Sequence, residues 1–574
     1  MSNPSANDAE TPEQEQLNLQ QALRAQMATV TGGLAPDVYV NAWWDWLLNL
    51  AKEPPQQLKL AEDAMAKTAE TLAFAAQAAA SHEPLSPAAG DARFEGTAWS
   101  QWPFNVYAHA YRNYADWWQN ALATVPGVAP ENKRTLEFMA RNALEAVSPD
   151  HYLATNPELL DATRAEAGKN LVRGFGNWLE DIQGTLGGKA RPGSEKFVIG
   201  RDIAATPGKV VLRNDLIELI QYSPATETVL AEPVLIIPAW IMKYYILDLS
   251  AKNSLVSYLV SQGHTVFMVS WKNPTESDRN LGMDDYLRLG IRAAFDAVSR
   301  IVPDQKIHTA GYCIGGTLLS IAEAMFAAEG DHRTATMSLL AAQQDFSEPG
   351  ELSLFVSPSQ IDMLEAVMHR TGVLKSEQMG AAFSLLRARD LLWTPAVNSY
   401  VRGKRESPND LMAWNADGTR MPARMHSEYL RRLFLNNELA EGHFAAGGKP
   451  VSLTDIRVPF FVVGTETDHI APWHSVYKIH LLNPGEVTFV LTSGGHNAGI
   501  VSEPGHAHRS FRLGSHAAGD RYVDPDEWAA AAERRDGSWW PVWTDWLSRR
   551  SGPVQAPPTL GDGPDAPGSY VLEK

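Results

Sequence analysis

Between an apolar stretch with strand propensity (Lys306 to Ala310) and a helix-compatible stretch (Ile314 to about Ala328), the chain reads Gly311-Tyr312-Cys313-Ile314-Gly315-Gly316. A G-x-C-x-G box at a strand-to-helix junction leaves few folds open. The central side chain is held exposed on a tight turn, and glycines let strand and helix close around it. Cys313 is also the only cysteine among 574 residues. An intrachain disulfide and a cysteine-rich metal site are therefore excluded. What remains for the sulfur is packing or reactivity. A lone cysteine is often a small buried hydrophobe, but a helix N-terminus beneath a thiol lowers its pKa toward neutrality.

The surrounding pattern favours reactivity. Across residues 191–345 and 451–550, short apolar strands alternate with helical segments: 209–213, 216–222, 234–237, 265–270, 307–310 and 337–342, then 460–464 and 487–492. Apolar strands separated by helices predict an α/β fold with a mostly parallel sheet covered on both faces. Residues 346–450 break the rhythm. They are helical and turn-rich, with Trp393, Trp414, Tyr429 and several arginines. An insertion there would lie over the C-terminal ends of the strands, where such sheets keep their sites, so it reads as a cap.

Residues 21–190 read as a mainly helical N-terminal domain. Its tryptophans fall in two clusters, Trp43, Trp44 and Trp46, then Trp99, Trp102, Trp117 and Trp118. They are read first as core, with a partner or apolar contact surface as the sharper alternative. Residues 1–20, rich in Asn, Glu, Gln and Ser, read as disordered. Residues 551–574 form a Pro/Gly-rich tail without independent structure.

A thiol nucleophile needs a base, and the base needs an orienting acid. In the α/β-hydrolase fold they follow in the order nucleophile, acid, histidine. The strand at 460–464 runs into Thr465-Glu466-Thr467-Asp468-His469, which makes Asp468 the acid and Glu466 the fallback. The strand at 487–492 runs into Ser493-Gly494-Gly495-His496-Asn497, which singles out His496 among sixteen histidines as the base. His469 is its nearest rival. For the oxyanion, the amide of Ile314 is one donor. The other comes from the loop Pro238-Ala239-Trp240-Ile241, at Trp240 or Ile241.

The formal net charge of −18 argues against nonspecific nucleic-acid binding. The polar, acidic start lacks the apolar core of a signal peptide. No apolar run approaches the roughly 20 residues of a membrane span. A lone thiol fits a reducing cytoplasm. No cofactor or metal is expected.

These motifs resemble the polyhydroxyalkanoate (PHA) synthases of class I, from about Arg93 to Tyr570. The box Gly311 to Thr317 is similar to that family's cysteine box. So are Lys243-Tyr244-Tyr245-Ile246-Leu247-Asp248-Leu249 after the oxyanion loop, Gly263-His264-Thr265-Val266-Phe267 and Ser270-Trp271-Lys272-Asn273-Pro274. Leu153 to Glu158, Asp468 to Trp473 and Gly537-Ser538-Trp539-Trp540-Pro541 extend the likeness. The resemblance implies nucleophile, acid and base at Cys313, Asp468 and His496. It implies joining of (R)-3-hydroxyacyl-CoA units, short-chain ones such as 3-hydroxybutyryl-CoA, into polyester with release of CoA. It further implies a homodimer on cytoplasmic PHA granules. Two departures stand out. Trp240 replaces a smaller residue in the oxyanion loop, and Asn497 follows the histidine where an apolar residue is common. A thioesterase or depolymerase on the same fold, and a noncatalytic granule protein, are the competing readings.

Overall fold

The computed structural model describes residues 24–28, 34–81, 83–87, 90–186 and 194–574. The segment 1–20, read as disordered, lies outside the described residues. The chain divides into two compact units. One comprises Leu34–Ser194 with Gly380–Pro408, the other Met1–Gly33, Glu195–Met379 and Asn409–Lys574. No helix among the described residues is long and apolar enough to cross a membrane.

The first unit is helical: α1 (Pro36–Ala51), α2 (Pro54–Ala80), α3 (Phe104–Thr124), α4 (Pro130–Ala146) and α5 (Lys169–Leu186). Proline opens α1, α2 and α4, where its fixed φ suits a helix and its missing N–H is not needed. Most of the tryptophans are core. Trp46 Nε1 donates to the Ala121 carbonyl at 3.1 Å, and Trp117 Nε1 to that of Leu60 at 3.0 Å. Trp43 meets Trp46 and Trp118 edge-on, and Trp99 is buried against Phe94. Trp44 and Trp102 instead remain 58% and 62% exposed. Residues 380–408, from the middle of the stretch read as a cap, join this unit through charge. Arg389 pairs with Glu145 at 2.7 Å and Asp150 at 3.0 Å, and Arg405 with Asp181 at 2.9 Å.

The second unit is built on a ten-stranded sheet. Its strands are β1 (Gly208–Arg213), β2 (Ile217–Tyr222), β3 (Val234–Ile237), β4 (Val266–Trp271), β5 (Ile307–Tyr312), β6 (Thr334–Leu340), β7 (Phe460–Thr465), β8 (Val487–Thr492), β9 (Ser510–His516) and β10 (Glu533–Asp536). Their order across the sheet is β1-β2-β4-β3-β5-β6-β7-β8-β9-β10. The strands from β4 to β8 are parallel, while β1, β2, β9 and β10 join antiparallel at the flanks. Every residue of β3, β5, β7 and β8 is buried, as interior parallel strands require. In register, Gly311 lies beside Ile237 on one side and Leu339 on the other. The nucleophile box therefore emerges at the centre of the sheet.

The Pro/Gly-rich tail has one short 3₁₀ turn, Tyr570–Leu572, and takes its order from the sheet. It runs along the open side of β1. The Val210 amide donates to Pro564 at 2.8 Å, and the Ala566 amide to Gly208 at 2.9 Å. The buried Glu218 carboxylate accepts from the amides of Ser569 and Tyr570 at 2.8 and 3.0 Å. A strand edge that would otherwise offer unpaired backbone groups is thereby covered.

Candidate active site

β5 ends at Tyr312, and α6 (Ile314–Glu329) begins two residues later. Cys313 bridges them at φ 53° and ψ −132°. Such a conformation costs a non-glycine residue about 1–3 kcal/mol and must be held by its surroundings. Here the Cys313 amide donates to the Leu340 carbonyl at 2.9 Å, and its own carbonyl accepts from the Gly316 amide at 2.9 Å. The glycines answer to close approach. A Cβ on Gly315 would sit 2.4 Å from the Ile237 carbonyl oxygen, and one on Gly316 would sit 2.5 Å from Ala342 Cβ. Cys313 thus occupies the N-cap position of a 16-residue helix whose N-terminus favours negative charge.

Asp468 and His496 leave the ends of adjacent parallel strands, β7 and β8. His496 Nδ1 lies 2.8 Å from Asp468 Oδ2. Facing a carboxylate, that nitrogen donates, which leaves Nε2 free to take a proton. Asp468 is itself fixed. Thr465 Oγ1 donates to Oδ2 at 2.9 Å, and the amides of Ile470 and Ala471 donate to Oδ1, each at 2.9 Å. Burial would raise the Asp468 pKa, but His496 and these amides outweigh it and hold the carboxyl below its usual range. Burial likewise disfavours imidazolium. The charges of Asp468 and Cys313 overcome it, so His496 is raised well above its ordinary value. No hydrogen bond in good geometry reaches buried Nε2 among the described residues.

The remaining residues singled out from sequence fall around this centre. Glu466 is exposed, and its amide donates to the Thr492 carbonyl at 2.9 Å. The His469 carbonyl accepts from the Glu351 amide at 3.3 Å. Ile314 lines the cavity over the thiol. The loop 238–241 crosses the first turn of α6, close enough that the Pro238 oxygen would lie 2.5 Å from a Cβ on Gly315. Thr419 holds this loop by donating from Oγ1 to the Trp240 carbonyl at 2.6 Å and from its amide to that of Ile241 at 3.2 Å. The Trp240 ring does not line the cavity. It is buried among Trp271, Tyr286 and Tyr429, and Tyr429 forms part of the cavity wall.

The cavity itself has a volume of about 20 Å³, room for little more than one water molecule. Phe346, Leu352, Tyr429 and Phe434 are among the residues that line it. An acyl chain cannot be seated without displacing some of them.

Sequence reasoning missed one brace of the site. The Tyr312 hydroxyl donates to Asn497 Oδ1 at 2.6 Å, tying the nucleophile strand to the histidine loop. Asn497 stood out as a polar residue in an apolar place, and a second polar oddity, the Tyr312 hydroxyl inside the box, was the available signal for its partner. Thr465 carried no such signal.

Comparison with known proteins accords with this geometry. Residues 15–56 and 90–259 match families described as the Poly-beta-hydroxybutyrate polymerase N terminal and the Poly-beta-hydroxybutyrate polymerase (PhaC) N-terminus. Residues 232–503 match the alpha/beta hydrolase fold. The Poly(3-hydroxyalkanoate) polymerase of Methylorubrum extorquens is 42% identical over 92% of this chain and 88% of its own. The Poly(3-hydroxyalkanoate) polymerase subunit PhaC of Rhizobium meliloti (strain 1021) is 39% identical, covering 85% and 80%, and that of Cupriavidus necator is 36% identical, covering 84% and 83%. The chain belongs to the poly(3-hydroxyalkanoate) polymerase family, on an α/β-hydrolase core.

Proposed function

We propose that this protein joins 3-hydroxyacyl units from their CoA thioesters into polyester, and that it is an acyltransferase working through Cys313, His496 and Asp468. The observation that carries the reading is the strained cysteine at a helix N-terminus, together with a histidine on a neighbouring strand's loop that a buried carboxylate orients. His496 Nε2 takes the thiol proton and the sulfur attacks the thioester carbonyl. The new S–C bond forms, the bond to the CoA sulfur breaks, and the departing thiolate leaves with the proton from His496. The amides of Ile314 and of Trp240 or Ile241 stabilise the tetrahedral oxyanion. A 3-hydroxyl then attacks an acyl thioester on Cys313 and gives its proton to His496, and the ester C–O bond replaces the C–S bond. Ester formation from a thioester is downhill, so no further energy source is needed. Asp468 holds the ring in one tautomer throughout.

The small, mostly apolar cavity over the thiol supports transfer over hydrolysis, because water is the competing nucleophile. The test is incubation with (R)-3-hydroxybutyryl-CoA, with CoA and insoluble polyester measured for the parent and for Cys313→Ala. Polyester from the parent and none from the variant is the expected result. Free hydroxyacid without polyester would assign a hydrolase, and an active Cys313→Ala would remove the covalent step. The reading extends to a cytoplasmic homodimer at the surface of its insoluble product, for which exposed Trp44 and Trp102 supply apolar contact area. Sedimentation as a monomer, or failure to cosediment with polyester, would count against that extension.

A further inference from the structure

Gln343 lines the Cys313 cavity, and one polar atom of its side chain has no partner. Gln343 lies three residues beyond β6 and is 6% exposed. Its main chain is pinned, because Thr317 Oγ1 in the first turns of α6 donates to its carbonyl at 2.8 Å. Its side-chain Oε1 is buried and, among the described residues, has no hydrogen-bond partner. A buried acceptor left this way is costly, and native proteins rarely keep one without a use. The wall beside it offers little help. Ile314, Phe346, Leu352 and Ile470 are apolar, the Thr317 hydroxyl is already committed, and the Tyr429 hydroxyl makes no hydrogen bond to Gln343 Oε1.

We propose that the Gln343 carboxamide accepts a hydrogen bond from the 3-hydroxyl of the acyl group seated at Cys313. It would thereby select 3-hydroxyacyl thioesters over acyl thioesters that lack the hydroxyl. This rests on the polymerase reading above. The chemistry is complementary. The substrate brings a hydroxyl donor to a cavity lined by a residue whose carboxamide oxygen is unpaired. The hydroxyl-bearing carbon is two bonds from the carbonyl carbon that the sulfur attacks, so an acceptor in the wall of the same small cavity is within reach. The mostly apolar wall suits the alkyl part. Discrimination of this kind is strong because a substrate without the hydroxyl leaves the acceptor buried and unpaired.

The test compares single-turnover CoA release from 3-hydroxybutyryl-CoA and from butyryl-CoA, in the parent and in Gln343→Met, which keeps the length and loses the carbonyl. The parent should prefer the hydroxylated thioester by at least about 10-fold, and the ratio should fall toward unity in the variant. An unchanged ratio, whether both rates stay or both drop together, overturns the proposal. Should Gln343→Met fail to fold by circular dichroism, Gln343→Asn, which withdraws the oxygen by one carbon, makes the same comparison. Polyester formed by a parent that shows no preference sinks the Gln343 assignment alone. Free hydroxyacid without polyester sinks the polymerase reading, and the ratio of the two release rates remains measurable.

Discussion

Two side chains decide how well the imidazole is held, one on each side of it. Asp468 does so through charge. Replacing it by Asn removes the largest attraction that offsets burial, so the His496 ring should titrate at lower pH than in the parent. Acylation should slow by about 10²–10⁴-fold, with the ring titration read by NMR of labelled histidine. Tyr312 acts through position, since its hydroxyl fixes Asn497, the neighbour of His496. Tyr312→Phe leaves the Asn497 carbonyl without that donor. A loss of about 1 kcal/mol in urea unfolding is expected, with an acylation rate several-fold lower. If the brace is real, Tyr312→Phe combined with Asn497→Leu should cost less than the sum of the single changes. Strict additivity would show that the pair does not act together.

At the scale of elements, α6 has to present a thiol at one end while its body is buried under the sheet. Residues Ile314 to Phe326 are all buried, and among them sits a carboxylic acid, Glu323. Its two oxygens lie 2.7 and 2.8 Å from Thr334 Oγ1 on β6. Burial outweighs that hydrogen bond and pushes its pKa up from 4.5 to about 8. The folded form keeps a proton that the unfolded chain releases, so this group lowers stability as pH rises from about 4.5 to about 8. Glu323→Gln keeps an acceptor for Thr334 and removes the titration. Its stability in urea should match the parent near pH 4.5 and exceed it by a few kcal/mol at pH 8.5, since each tenfold difference in proton affinity between folded and unfolded chains is worth ~1.4 kcal/mol. Parallel curves for parent and variant across this window would contradict the assignment.

Across the whole molecule, the fact that governs turnover is that the thiol sits in a space of about 20 Å³. An acyl chain fits there only if lining residues move, and Leu352, Tyr429 and Phe434 are among them. Those three lie in the 3₁₀ turn Gly350–Phe355 and the wide π-type turn Tyr429–Leu435, whose weaker backbone geometry makes them the places to yield. Hydrogen exchange should be faster there than in β5 and β6 and should change on addition of a nonreactive acyl-CoA analogue. Equal protection with and without the analogue would mean that access lies elsewhere.

Much of the site was legible before any coordinates because its parts are local. The glycines of the box, the strand before each loop, and the chain order of Cys313, Asp468 and His496 are all written within a few residues of each functional side chain. The elements that went unread are those whose reason lies far away in the chain. β10 is Glu533-Arg534-Arg535-Asp536, fully exposed and without the apolar pattern of a strand, and pairing with β9 alone makes it one. The tail is ordered by a sheet edge some 350 residues earlier. The arginines of 380–408 are ordered by acids such as Glu145 and Asp181. Tyr312 and Asn497, 185 positions apart, meet only once β5 and β8 lie in one sheet. Local hydrophobic pattern and turn chemistry determined where reactive groups could stand. Which of them meet, and how little room they share, was decided by long-range packing, which leaves no mark on neighbouring residues.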